Sequence, residues 1–167
     1  VAEIDIQKLY KMAGKKAPEL AFQIFDLEHS LSHNWEVETF FENSSIKPAL
    51  RKKVFDMLYP KPSALFKKLV YLLIDQDLMN EMPELSEKFA AVVSKKARVD
   101  FAELRVSAMP DPSLVEKVKK TFGRGIKAKV IIDPELIGGF FLKFLDGRTF
   151  DGSLKGKLER LRSEIMA

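Results

Sequence analysis

Cysteine is missing from all 167 residues, and its absence excludes a disulfide framework, a thiolate nucleophile and any zinc or iron–sulfur centre held by cysteine. Histidine is scarce, with two in the chain. No stretch approaches the roughly 18 to 20 apolar residues that cross a bilayer, so direct membrane insertion is not expected. The opening Val1-Ala2-Glu3-Ile4-Asp5 lacks the basic start and apolar core of a secretory signal, which points to the cytosolic side. No serine sits in a Gly-x-Ser-x-Gly elbow, and no Gly-Lys-Ser/Thr phosphate loop occurs. Low-complexity tracts and internal repeats are missing too.

What is present describes a globular protein. Hydrophobic residues make up 46% and charged residues 31%, ordinary proportions for a chain that can form one compact domain or two small ones. The net charge of +4 is spread thinly, with 15 basic against 14 acidic residues over 1–99 and 13 against 10 over 100–167. Most lysines come as pairs, such as Lys15-Lys16, Lys52-Lys53 and Lys67-Lys68, interleaved with carboxylates and not with aromatics that would stack on bases. They read as solvated helix faces. A basic nucleic-acid-binding adaptor is the alternative, and it requires the charge to converge on one face.

Residues 1 to about 97 read as successive short helices. After Pro18, Leu20, Ile24, Leu27 and Leu31 recur at helical spacing. A loop at Glu42-Asn43-Ser44-Ser45 follows, and Leu50, Val54, Met57 and Leu58 form the next stripe. Ser63 is placed to cap the most apolar helix, which carries Leu65, Phe66, Leu69, Val70, Leu72, Leu73 and Ile74 and is expected to be buried on most sides. Another helix opens at Pro83 with Leu85, Phe89, Val92 and Val93. Helices this short are marginal alone in water, so they must pack as a bundle.

Near Ala97 the period changes from helical to two. Ala102, Leu104 and Val106 alternate with Glu103, Arg105 and Ser107, the pattern of a half-buried strand. Asp111-Pro112-Ser113 opens a helix lined by Leu114, Val115, Val118 and Phe122 that stops at Gly123. Ala128, Val130 and Ile132 mark a second strand, and Asp146-Gly147 supplies the turn between two hairpin strands. A final helix carries Leu154, Leu158, Leu161 and Ile165 on one stripe. A small sheet needs cover on its apolar face, so Leu154 and Leu158 are expected to pack within the domain. Leu161 and Ile165, nearer the end, are left for a partner.

Candidate chemistry is sparse. His29 and His33 stand four apart on one helix face, with Glu28 and Glu36 near, a spacing that suits a metal. A small enzyme with a site there is one alternative, but solvated histidines at a helix end explain the pair more simply. Gly123-Arg124-Gly125 follows a helix and reads as a stop and a turn. Asp75 with Asp77, and Asp146 with Asp151, serve acid–base chemistry only if a cleft splits their pKa values. No cofactor is indicated.

The most informative stretch is Ile132-Asp133-Pro134-Glu135-Leu136-Ile137-Gly138-Gly139-Phe140, followed by Asp151-Gly152-Ser153-Leu154-Lys155-Gly156-Lys157-Leu158-Glu159-Arg160-Leu161. Proline fixes a turn, and the glycine pair permits backbone angles closed to other residues. The two halves together resemble the C-terminal signature of the F-type ATP synthase delta subunit family, known in mitochondria as the oligomycin-sensitivity-conferring protein. The matching positions are Asp133, Pro134, Leu136, Ile137, Gly138 and Gly139, then Asp151, Gly152, Ser153, Leu158 and Leu161. Upstream, Arg105-Val106-Ser107-Ala108-Met109-Pro110, Glu42-Asn43-Ser44-Ser45-Ile46-Lys47 and Leu9-Tyr10-Lys11-Met12-Ala13 resemble the family more loosely. Asp5 and Ile6 depart from its common Tyr-Ala.

This resemblance implies an α plus α/β protein: an N-terminal six-helix bundle over 1–98 and a small C-terminal α/β domain with a short sheet over 99–167. It implies a non-catalytic stator. The bundle is expected to grip N-terminal segments of the synthase alpha subunits through Asp5, Lys8 and Met12 and through Lys68, Leu72 and Asp75. The C-terminal domain is expected to meet the end of peripheral-stalk subunit b through Leu161 and Ile165, at the cytoplasmic face of a bacterial membrane.

Overall fold

A computed structural model describes residues 4–108, 112–121, 125–152 and 154–166. The expected cap at Asp111, the expected stop at Gly123 and the signature residue Ser153 lie outside them, as do the side chains of Val115 and Leu154. The architecture is α plus β, in two compact units, Val1–Lys96 and Ala97–Ala167.

The first unit is helical: α1 (Ile6–Ala13), α2 (Ala17–Ser32), α3 (Trp35–Glu42), α4 (Pro48–Leu58), α5 (Ala64–Asp75) and α6 (Met82–Ala97). The helix starts follow local chemistry. The Asp5 carboxylate accepts from the Gln7 and Lys8 amides at 2.9 and 3.0 Å, Asn34 accepts from Val37 at 3.3 Å, and Ser63 from Phe66 at 3.4 Å. Prolines occupy the first turns of α2 and α4, where no amide hydrogen is needed. Leu20, Ile24, Leu27 and Leu31 of α2 are buried, as are Phe66, Leu69, Val70, Leu73 and Ile74 of α5 and Leu85, Phe89 and Val93 of α6.

Helix α4 turns a different side inward from the one its apolar residues suggest. Leu50, Met57 and Leu58 are exposed, and Arg51 and Phe55 are buried instead. The guanidinium explains the rotation. Arg51 donates from Nη1 to the Phe41 carbonyl at 3.1 Å and from Nη2 to Asp77 Oδ1 at 2.7 Å, so it ties the end of α3 to the turn after α5. Asp77 there adopts φ of +55°. One turn on, Phe55 enters an aromatic cluster with Tyr59, Phe66 and Tyr71 at centroid distances of 5.3, 5.6 and 6.2 Å.

The second unit contains β1 (Val99–Val106), α7 (Pro112–Thr121), β2 (Gly125–Ile132), β3 (Phe140–Phe144), β4 (Thr149–Asp151) and α8 (Leu154–Met166). The sheet order is β2-β1-β3-β4. Strands β1 and β2 are parallel and therefore need a crossover, which α7 supplies, while β1–β3 and β3–β4 are antiparallel. Leu104 stands opposite Val130 on one side and Leu142 on the other, and Leu142 stands opposite Phe150. One face of the sheet is thereby apolar from edge to edge. Its core is Ala102, Leu104, Val106, Ile126, Leu142 and Phe144, closed by Val118 of α7, with Leu114, Ala128 and Phe140 at the margin.

Helix α8 departs from expectation. Leu158 is 57% exposed, much like Leu161 at 53% and Ile165 at 80%, so it does not cover the sheet. The helix is held by its other side. Gly156 is buried against the Asp151 carboxylate, and Arg160 donates to the carbonyls of Gly156 and Asp151 at 3.3 and 3.0 Å. Docking through these residues turns the leucines outward.

Candidate docking surfaces

The signature residues build the frame that presents α8. At the end of β2, the Asp133 amide donates to the Val106 carbonyl at 2.8 Å, and its carboxylate accepts from the Glu135 amide at 3.1 Å. Pro134 is the second residue of a backbone turn over the same residues, closed by the Leu136 amide donating to the Asp133 carbonyl at 3.1 Å. Ile137 is exposed, and Gly138 and Gly139 take φ of +62° and +69°, angles a side chain would strain. After the hairpin, Gly152 lies so close to Phe140 that an added Cβ would stand 3.0 Å from its ring and 3.2 Å from its carbonyl oxygen. A Cβ on Gly156 would fall 2.5 Å from the Asp151 carboxylate. The spacing Asp-Gly-Ser-x-x-Gly thus records two close approaches that set the angle at which α8 leaves the sheet.

A cavity of about 310 Å³ opens between α7, α8 and the β3–β4 hairpin. Leu114, Val118, Phe140 and Phe150 form its apolar lining, and the two phenylalanine rings stack at 5.7 Å. Lys117, Lys157 and Arg160 line it as well. Sequence reading missed this group because its members come from four elements. The signal available was the glycine spacing, which forces α8 against the hairpin.

In the first unit, Asp5, Lys8 and Met12 are exposed on α1, and Lys68, Leu72 and Asp75 are exposed on α5. Met12 and Leu72 stay out of the core. Asp5 also caps α1, and Asp75 pairs with Lys52 of α4 at 2.6 Å.

The candidate catalytic groups are absorbed by structure. Asp77 holds Arg51, and Asp146 pairs with Arg148 at 2.7 Å. His33 is exposed, whereas His29 is buried, so the expectation of two solvated histidines holds for only one of them. Their rings stack at 3.9 Å, and His33 Nδ1 lies 2.9 Å from the His29 carbonyl oxygen at the end of α2. The shifted titrations have structural causes. Burial, then the charge of Asp26, pushes the Tyr59 phenol well up, and the Tyr71 hydroxyl, donating at 2.6 Å, holds the Asp56 carboxyl down. In the first unit Lys67 meets Asp56 at 3.2 Å and Lys52 meets Asp75 at 2.6 Å, so these lysines are paired with carboxylates. No helix of the described residues is long and apolar enough to cross a membrane.

Apolar helix faces left open beside carboxylates committed to ion pairs, turns and caps are the features of a subunit that binds other proteins. A family model described as ATP synthase delta (OSCP) subunit matches residues 8–165. The chain belongs to this family, and is a non-catalytic stator subunit of the F-type ATP synthase. The ATP synthase subunit delta of Thermosynechococcus vestitus is 35% identical over 132 residues, covering 75% of this chain and 71% of that one. Its counterpart in Nitrosomonas europaea is 30% identical over 168 residues, covering 95% and 92%. A chain in the cryo-EM structure of the Toxoplasma gondii mitochondrial ATP synthase hexamer superposes with a TM-score of 0.56 at 17% identity, over 97% of this chain and 95% of that one. That likeness shows the fold.

Proposed function

We propose that the two units divide the stator's work. Residues 1–98 act as one six-helix bundle that holds alpha-subunit N-terminal segments on the face bearing Asp5, Lys8, Met12, Lys68, Leu72 and Asp75. Residues 99–167 receive the C-terminal end of peripheral-stalk subunit b on α8. The mechanism is mechanical: a joint that resists torque at both ends keeps the catalytic head from turning with the rotor, at the cytoplasmic face of a bacterial membrane. It requires long-lived contact and no bond chemistry.

The observation that carries the stalk assignment is the open stripe of Leu158, Leu161 and Ile165 on a helix anchored from its opposite side. Burying one such side chain contributes about 1.5–3 kcal/mol, equivalent to roughly ten- to hundredfold in affinity. Leu161→Ala is therefore expected to weaken capture of the subunit b segment by that factor while leaving the melting temperature in place. Lys8→Glu with Lys68→Glu is expected to weaken binding of an alpha N-terminal peptide, measured by calorimetry. Unchanged affinity in either case removes that face from the interface.

A further inference from the structure

We propose that β2, an open edge of the sheet, accepts an extended segment of a partner protein as a fifth strand, one that alternates apolar and acidic residues. The site is separate from the one proposed on α8, which follows β4 at the opposite edge.

Backbone register identifies the open groups. The Asp133 amide donates to the Val106 carbonyl, and β1 runs parallel to β2 with Val106 opposite Ile132. Successive residues of a strand turn their amides and carbonyls to alternate sides, so Lys127, Lys129, Ile131 and Asp133 face β1, and Ala128, Val130 and Ile132 face outward. Among the described residues no backbone group bonds to these three. The strand is eight residues long and contains no proline, which makes its edge a template for another strand.

The side chains extend the match. Val130 and Ile132 lie on the apolar side of the sheet, opposite Leu104 and Val106, yet both are exposed and stay outside the core that Val118 of α7 closes. A strand added along β2 would cover them.

Charge selects the partner. On its other side β2 presents Lys127 and Lys129 and no carboxylate. The carboxylates of that side lie off the strand: Glu103 stands opposite Lys129 and Lys143 and accepts from Arg105 at 3.4 Å, Asp133 accepts from the Glu135 amide and lies 4.0 Å from Arg105, and Asp151 stands opposite Phe141 at the far edge. A second copy paired along β2 would bring four lysines, two from each chain, onto one ladder, whereas an acidic strand meets them with opposite charge. Alternation then sets the partner's apolar residues beside Val130 and Ile132.

The test adds two fluorescently labelled heptapeptides to the full chain, one alternating glutamate with valine and one lysine with valine, and reads anisotropy. The glutamate peptide should bind about tenfold tighter than the lysine peptide, and less tightly as salt rises. On binding, amide exchange followed by NMR in the wild-type chain should slow at least tenfold at Ala128, Val130 and Ile132. It should hardly change at Lys127, Lys129 and Ile131, whose amides already face β1. Val130→Pro removes one outward donor, a change that edge strands tolerate, and should weaken binding by about tenfold, while Leu161→Ala should leave it unchanged. Failure of the glutamate peptide to bind, equal binding of the two peptides, or exchange that stays fast at the three outward amides overturns the proposal, and the exchange measurement needs no variant to fold. A concentration-dependent dimer in sedimentation that Val130→Pro dissolves would make a second copy the occupant and overturn it as well.

Discussion

Helices α5 and α8 carry apolar residues at the same helical spacing and meet opposite environments. Phe66, Leu69, Val70, Leu73 and Ile74 of α5 are buried, and Leu158, Leu161 and Ile165 of α8 are exposed. Part of the difference is local, since α5 is apolar around most of its circumference and α8 along one narrow stripe. The larger part is anchoring. α5 packs among α2, α4 and an aromatic cluster that meets it from several directions. α8 is fixed by a glycine and an arginine on the side away from its leucines. An apolar stripe states a need for cover, and the anchored side decides whether that cover comes from the same chain.

The strongest test of this contrast is Leu73→Ala. It empties a fully buried site in α5 and should destabilise the first unit by about 2–5 kcal/mol, seen as a lower urea midpoint, with the proposed binding at α8 unaffected. Arg51→Met should come next. It removes both donors that join α3, α4 and the Asp77 turn and leaves the Phe41 carbonyl short of a partner; because Asp77 is half exposed, a loss of about 2–3 kcal/mol is expected. Stability rising in this variant would show that α4 is turned by packing alone.

On the α8 side, Gly152→Ala should lower stability by about 1–3 kcal/mol, since the new Cβ meets a backbone carbonyl as well as the Phe140 ring. Hydrogen exchange in the full chain should place the loss in β3, β4 and α8. The smallest stability change is expected for Leu158→Ala, within about 0.5 kcal/mol because the side chain is exposed. Its effect should appear in partner affinity instead. A melting temperature that drops as far as in Leu73→Ala would erase the distinction between the two helices.

The sequence alone determined the kinds of element and where several begin. Asp5, Asn34, Ser63 and the prolines of α2 and α4 act within a turn of themselves, and Asp146-Gly147 closes the β3–β4 hairpin with φ of +89° at the glycine. The motif running from Asp133 to Gly139 and on from Asp151 was legible for the same reason: its turns and close approaches are made mostly by near neighbours. Tertiary structure decided which side of a helix faces inward. The stripe of Leu50, Met57 and Leu58 stays exposed because Arg51 finds Asp77 26 residues away, and Leu158 was misplaced because Arg160 and Gly156 claim the docking side of α8. The cavity draws on residues from 114 to 160. Helical period is a property of neighbouring residues, but burial is set by whichever distant groups satisfy a guanidinium or fill a close approach, and those partners exist only once the chain has folded.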